Sequence, residues 1–122
     1  LRDAFRKKRP LRTFHGHATY YHDSLAGNLT ACGEPYSPSD FTAAHPKLAF
    51  GTILRVTHPS SGHDVYVRVN DRGPHGNKKL VLDLSRAAAE HIGLLRRGVM
   101  EVRVEVLEFG SSKHGRCGRQ RK

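Results

Sequence analysis

Asp71 is the residue best placed to do chemistry. Val65, Val67 and Val69 alternate with Tyr66 and Arg68, the pattern of a strand with one buried face, and this strand runs into the polar break Asn70-Asp71-Arg72-Gly73-Pro74. A carboxyl at the end of an apolar strand is half desolvated, which favours the protonated form that a general acid must keep near neutral pH. The same position also suits an Asp that accepts backbone N–H groups to cap the turn at Gly73-Pro74, an arrangement that favours the ionised form instead. The nine histidines raise a second question, metal binding, and His15, His17 and His22 are the densest group. There is no HExxH, no paired CxxC, no glycine-rich phosphate cradle and no Ser-His-Asp spacing, so neither a metal nor any other cofactor is expected. Cys32 and Cys117 make an even pair without CxxC spacing. They fit either one bridge in an oxidising compartment or two free thiols. A bridge would close a loop of about 85 residues and contribute roughly 4 to 5 kcal/mol on the chain-entropy account.

Short elements must position these groups. The β-formers Ala18-Thr19-Tyr20-Tyr21 read as a first strand, and residues 30 to 51 as an irregular stretch in which Pro35, Pro38 and Pro46 each remove a backbone donor. Strands are expected at 53–57, 65–69, 79–84 and 100–108, the last from the alternation of Met100, Val102, Val104 and Val106 with charged residues. Ser85 is a good N-cap for one short helix at 86–92, and Gly93 stands where a left-handed C-terminal residue is wanted. The expected fold is mainly all-β: a small barrel of about six strands and one helix, with function carried on its loops.

A chain of 122 residues with 37% hydrophobic residues allows one domain and one core. No stretch approaches the roughly 18 consecutive apolar residues of a membrane-spanning helix. The formal net charge of +10 invites a nucleic-acid reading, but the excess lies at the ends. Residues 1–13 carry six basic residues against Asp3, residues 110–122 carry five against none, and residues 14–109 carry ten of each sign. The chain therefore divides into a basic disordered leader (1–13), a folded domain (14–109) and a basic tail (110–122). The tails solubilise the domain or tether it to an anionic envelope polymer, and no specific nucleic-acid binding is expected. The chain starts on Leu1 rather than Met, so it reads as a processed or excised piece from which a signal peptide can have been removed.

Five blocks carry a family resemblance. They are Gly16-His17-Ala18-Thr19-Tyr20-Tyr21, then Thr30-Ala31-Cys32-Gly33-Glu34-Pro35-Tyr36, then Thr42-Ala43-Ala44-His45-Pro46 followed by Phe50-Gly51-Thr52. Val67 to Pro74 and Leu82-Asp83-Leu84-Ser85, leading into Ala87-Ala88-Ala89, complete the set. In this order and spacing, residues 16–109 resemble the rare lipoprotein A family, whose fold is a six-stranded double-psi β-barrel. The resemblance implies a periplasmic or cell-envelope lytic transglycosylase. Such an enzyme cleaves the β-1,4 bond between N-acetylmuramic acid and N-acetylglucosamine in peptidoglycan glycan strands and leaves 1,6-anhydro ends.

By that resemblance Asp71 is the single acid and base, Glu34 supplies a like charge beside it, and His45 hydrogen-bonds the substrate or a carboxylate. Tyr20, Tyr21 and Tyr36 are candidates to stack on sugars, and Thr42 and Arg72 are further candidates to bind substrate. From the residues alone, Glu34 is equally a solvated loop residue and His45 a ring packed beneath Pro46. Many relatives have an acid where Ser37 stands here, and a proline where Ala49 stands. A monomer is expected. The alternative is a non-catalytic glycan-binding or expansin-like wall-loosening module with the same groove. A weaker third reading is a polyanion binder driven by the tails, whose binding would fall steeply with salt.

Overall fold

A computed structural model describes residues 2–112 and 116–117. Six strands, β1 (Arg12–Tyr20), β2 (Thr42–Ala44), β3 (Ile53–Thr57), β4 (Asp64–Asp71), β5 (Leu80–Leu84) and β6 (Met100–Glu108), close into a barrel in the order β1-β5-β2-β4-β3-β6. The pairs β1/β5 and β2/β4 are parallel and the other four are antiparallel. This is the double-psi β-barrel expected from the resemblance.

The barrel closes because its strands supply alternating apolar residues to one interior. Leu54 and Val56, Val65, Val67 and Val69, Leu82 and Leu84, and Val102, Val104 and Val106 are all buried in a single cluster. Each such side chain is worth about 1.5–3 kcal/mol when fully buried. Helix α2 (Arg86–His91) seals one side with Ala88 and Ala89, and Ile92 and Leu94 continue its buried face. Its N-cap is Ser85, whose Oγ accepts from the Ala88 N–H at 3.3 Å and donates to the Asp40 carbonyl at 2.6 Å. One hydroxyl therefore fixes the start of the helix against the segment entering β2.

Three elements differ from expectation. β1 begins at Arg12, not Ala18, because its first half pairs with β6 from Arg12↔Val106 onward. Gly16 makes this possible: a Cβ there would collide with the Val81 side chain, which packs directly over the strand. The second difference is β2, three residues inside the proline-rich stretch read as irregular, held between β4 and β5. Third, the expected single helix is joined by one turn, α1 (Arg2–Phe5), within the stretch assigned to the basic leader. Arg2 bonds to Asp64 and Phe5 packs on Ile53, Tyr66 and Leu107. At the other end, Phe50 N–H donates to the Ser112 carbonyl at 2.6 Å, and Cys117 is bridged to Cys32 with Cα atoms 4.7 Å apart. Lys113, Arg119, Arg121 and Lys122, basic residues of the expected tail, lie outside the described residues.

Candidate active site

The site follows from strand register. Paired residues on adjacent strands share a face, and Ala43 pairs with both Val69 and Leu84, so this row belongs to the core. The next residue, Ala44, pairs with Asp71 on β4 and Asp83 on β5, and Asp83 pairs with Thr19 on β1. Thr19, Asp83, Ala44 and Asp71 therefore form one row across four strands on the outer face. With strands about 4.8 Å apart, the two Asp backbones stand roughly 10 Å from each other, separated only by a methyl group.

A shift in β4 aims Asp71 at this row. The ladder steps from Ala43↔Val69 to Ala44↔Asp71 and passes over Asn70. Without the extra residue, strict alternation would give Asp71 the facing of Val69, toward the core. Gly73, at φ 125°, then turns the chain away in a conformation that a side chain rarely permits.

Both oxygens of Asp71 act as acceptors. Oδ1 accepts the N–H of Ala31 at 2.7 Å and of Arg72 at 2.9 Å, and Oδ2 accepts the Tyr21 hydroxyl. Tyr21 stacks on Tyr36 with centroids 4.4 Å apart, and the Tyr36 hydroxyl accepts the Arg86 N–H at 3.0 Å, tying this support to the start of α2. Burial and the neighbouring Asp71 push the Tyr21 phenol well above its ordinary range, so it remains a donor. Asp83 is held differently. Its Oδ1 accepts the Thr19 hydroxyl, while Oδ2 has no hydrogen-bond partner among the described residues. That oxygen lies 3.7 Å from the point where Gly73 would carry a Cβ, and the His75 ring lies 3.9 Å from the same point.

His45 leaves β2 immediately after Ala44, and its N–H donates to the Asp71 carbonyl at 3.2 Å. Its Nδ1 accepts from Lys47 and Leu48 N–H groups, both at 3.0 Å, which puts the remaining proton on Nε2. Burial, with Arg12, Arg72 and Lys47 nearby, pulls its pKa down to about 4. At neutral pH His45 is thus an uncharged Nε2–H donor.

Glu34 has a different setting. Its Oε1 accepts from Arg68 at 2.8 Å and from Asn70 Nδ2 at 3.1 Å, beside the Cys32–Cys117 bridge. The group expected to crowd Asp71 with like charge is itself ion-paired, and the second acid on the row is Asp83. Cys32, Glu34 and Cys117 cluster closely enough to suggest metal ligands, but both sulfurs are bonded to each other.

The candidates for substrate contact separate in the same way. Tyr21 meets Asp71, whereas Tyr20 packs on the core with its hydroxyl 3.5 Å from the Leu95 carbonyl. Tyr36 and Thr42 are only 3% and 5% exposed, which closes both to a sugar ring. The Arg72 guanidinium donates to the His45 and Leu48 carbonyls at 3.2 and 2.6 Å and lies 4.0 Å over the Phe50 ring, so it holds the 45–50 segment in place. Asp83 and Thr19 were not singled out from the sequence. The signal was present in Leu82-Asp83-Leu84, where an acid alternates with two core leucines and must face the other way.

Beyond His75 the row opens into a cleft of about 610 Å³. It lies between the start of β1 at Arg12–His15, the turn His45–Lys47 and the loop Pro74–Lys78, with Val81 on its floor side. His45 and His75, which line the cleft, also adjoin the row, His45 through its N–H to the Asp71 carbonyl and His75 through the Gly73 turn that meets Asp83.

A family model described as lytic transglycolase matches residues 13–104. The endolytic peptidoglycan transglycosylase RlpA of Haemophilus influenzae is 47% identical over 97 residues, covering 80% of this chain and 33% of that protein. The protein of the same name from Campylobacter jejuni is 44% identical over 103 residues, covering 84% of this chain and 37% of that protein. The chain thus spans about a third of the length of these relatives. Among solved structures, a Streptomyces papain inhibitor superposes with a TM-score of 0.66 at 26% identity, covering 84% of this chain and all of that one. An expansin of Clavibacter michiganensis superposes at 0.63 with 27% identity, covering 83% and 53%.

Proposed function

The chain belongs to the lytic transglycolase family of rare lipoprotein A-like double-psi β-barrels, and from that premise we propose that it cleaves peptidoglycan glycan strands in the cell envelope. The bond is the β-1,4 link from N-acetylmuramic acid to N-acetylglucosamine, and the reaction is a lyase step that consumes no water and needs no cofactor. The domain acts as a monomer, and its basic ends hold it near anionic envelope polymers. The observation that carries this reading is the row Thr19–Asp83–Ala44–Asp71, which brings two half-buried carboxylates to one face of the barrel on either side of the buried Ala44.

A glycosidic oxygen leaves only when protonated, and the sugar left behind develops positive charge at C1. Asp83, with Oδ2 open, donates its proton to the leaving 4-oxygen as the C1–O bond breaks. The muramic 6-hydroxyl then attacks C1, closing the 1,6-anhydro ring, and its proton returns to Asp83. Asp71, an acceptor on both oxygens, faces the developing cation as a fixed negative charge. His45 offers its Nε2–H to a substrate oxygen. In this proposal the acid and base role expected of Asp71 passes to Asp83, and Asp71 contributes its charge.

Leaving-group chemistry tests this assignment. Asp83→Asn should lose cleavage of natural strands but keep part of its turnover of an aryl muramoside, whose leaving group needs no proton, with water taking the proton of the 6-hydroxyl. Asp71→Asn should lose both. Mass spectrometry of the products must show anhydro-muramic ends. Reducing ends would make the domain a hydrolase, and binding without any cleavage by the wild type would make it a wall-loosening module.

A further inference from the structure

The cleft beyond His75 has a lining unlike that of the row. Arg12, Lys47 and Lys78 stand around it with His15, His45 and His75, and among the described residues no acidic one lines it. Arg2, Arg55, Arg68, Arg86 and Arg103 each meet a carboxylate elsewhere on the barrel. Arg12, Lys47 and Lys78 have no ion-pair partner among the described residues. Their field is felt locally, since Arg12 and Lys47 both help to hold His45 uncharged. Phe14, Pro46, Pro74 and Val81 give the same cleft an apolar wall. A neutral sugar has no use for three cations around one cleft, whereas an anion carried on a sugar does.

We infer that this cleft binds a carboxylate carried by the muramic sugar adjoining the scissile bond, and that it thereby sets the register of the strand on the Asp83–Asp71 row. The inference rests on the proposed peptidoglycan substrate, in which only the muramic sugars bear a lactyl group, so that anionic and neutral sugars alternate. A cationic cleft that adjoins the acid pair through His45 and His75 therefore selects every second glycosidic bond. The carboxylate has two sources: the lactyl group itself where the peptide has been removed, or the acidic residues of an attached stem peptide.

Binding and cleavage are measured on three strand preparations: with free lactyl carboxylates, with those carboxylates reduced to alcohols, and with stem peptides attached. The wild type should bind at least one carboxylate-bearing preparation about tenfold more tightly than the reduced one, with the preference falling as salt rises. The preferred preparation identifies the source. The double substitution Lys47→Glu and Lys78→Glu should abolish the preference, and a thermal melt shows whether it folds. If it does not, Lys47→Gln and Lys78→Gln provide the same comparison. Equal wild-type binding of reduced and charged strands overturns the inference, as does a folded double variant with its preference intact. If anhydro ends form equally from all preparations, the cleft reading fails and the lyase reading stands. A carboxylate preference without any cleavage gives the reverse result.

Discussion

Asp71 and Glu34 lie close together in the fold and in quite different company. Asp71 is met by neutral donors, two N–H groups and a phenol, on a face that opens into a groove. Glu34 is met by the cation of Arg68 and by Asn70, at a corner clamped by a disulfide, with its side chain only 18% exposed. One carboxylate keeps its charge available to a ligand and the other has it neutralised in place. In the proposed mechanism Glu34 belongs to the scaffold of the site and Asp71 to its chemistry, a difference of role that substitution can test.

The strongest way to break this comparison is to neutralise each acid in turn. Asp71→Asn and Asp83→Asn should each lower strand cleavage by about two to four powers of ten with the melting temperature nearly unchanged, followed as anhydro product over time. Glu34→Gln should remain within about tenfold of wild type, and a loss as large as that of Asp71→Asn would place it in the chemistry after all. Next in size is Tyr21→Phe, which removes one of three donors to Asp71. A hydrogen bond to a charged group is worth about 1.5–3 kcal/mol, so cleavage should fall roughly ten- to a hundredfold and its pH profile should move. Arg68→Ala sharpens the other side. It removes the Arg68 cation from Glu34 and should destabilise the fold by about 1–3 kcal/mol in a denaturant titration, while the folded fraction keeps its cleavage rate within a few-fold.

The smallest effect concerns His45. Its pKa is held near 4 against 6.5 in the unfolded chain, so the unfolded state binds more protons between those values. Stability therefore falls as pH drops from about 6.5 to about 4, and His45→Asn should flatten that part of the slope in melts across the window. Above about pH 6.5 His45 contributes no pH dependence.

Wherever alternation survives, the fold was legible. Val65, Val67 and Val69 on β4, and Val102, Val104 and Val106 on β6, declared their interior face directly. β1 was read too short because Arg12, His15 and His17 along its first half mimic a solvated leader, and β2 was missed because three residues are too few to show a period. Asp71 was legible as a strand-end acid. Its facing was not, since it depends on the extra residue Asn70, a register event between strands 26 positions apart. Asp83 was overlooked for a related reason: its importance lies in sharing Ala44 as a neighbour with Asp71, a relation among three strands that no local window contains.

The strand order has a further consequence in time. β1 pairs only with β5 and β6, so the first strand made has no partner until the last two exist. At about 5–20 residues per second, the roughly 90 residues that follow β1 take on the order of 5–20 s to synthesise. Until β5 is made Thr19 has no Asp83 to meet, and until β6 is made there is no closed barrel. The long sequence separation of these contacts also slows folding once the chain is complete. A nascent domain of this kind stays open until β6 is in place, and the barrel and the groove on it close in the same late step.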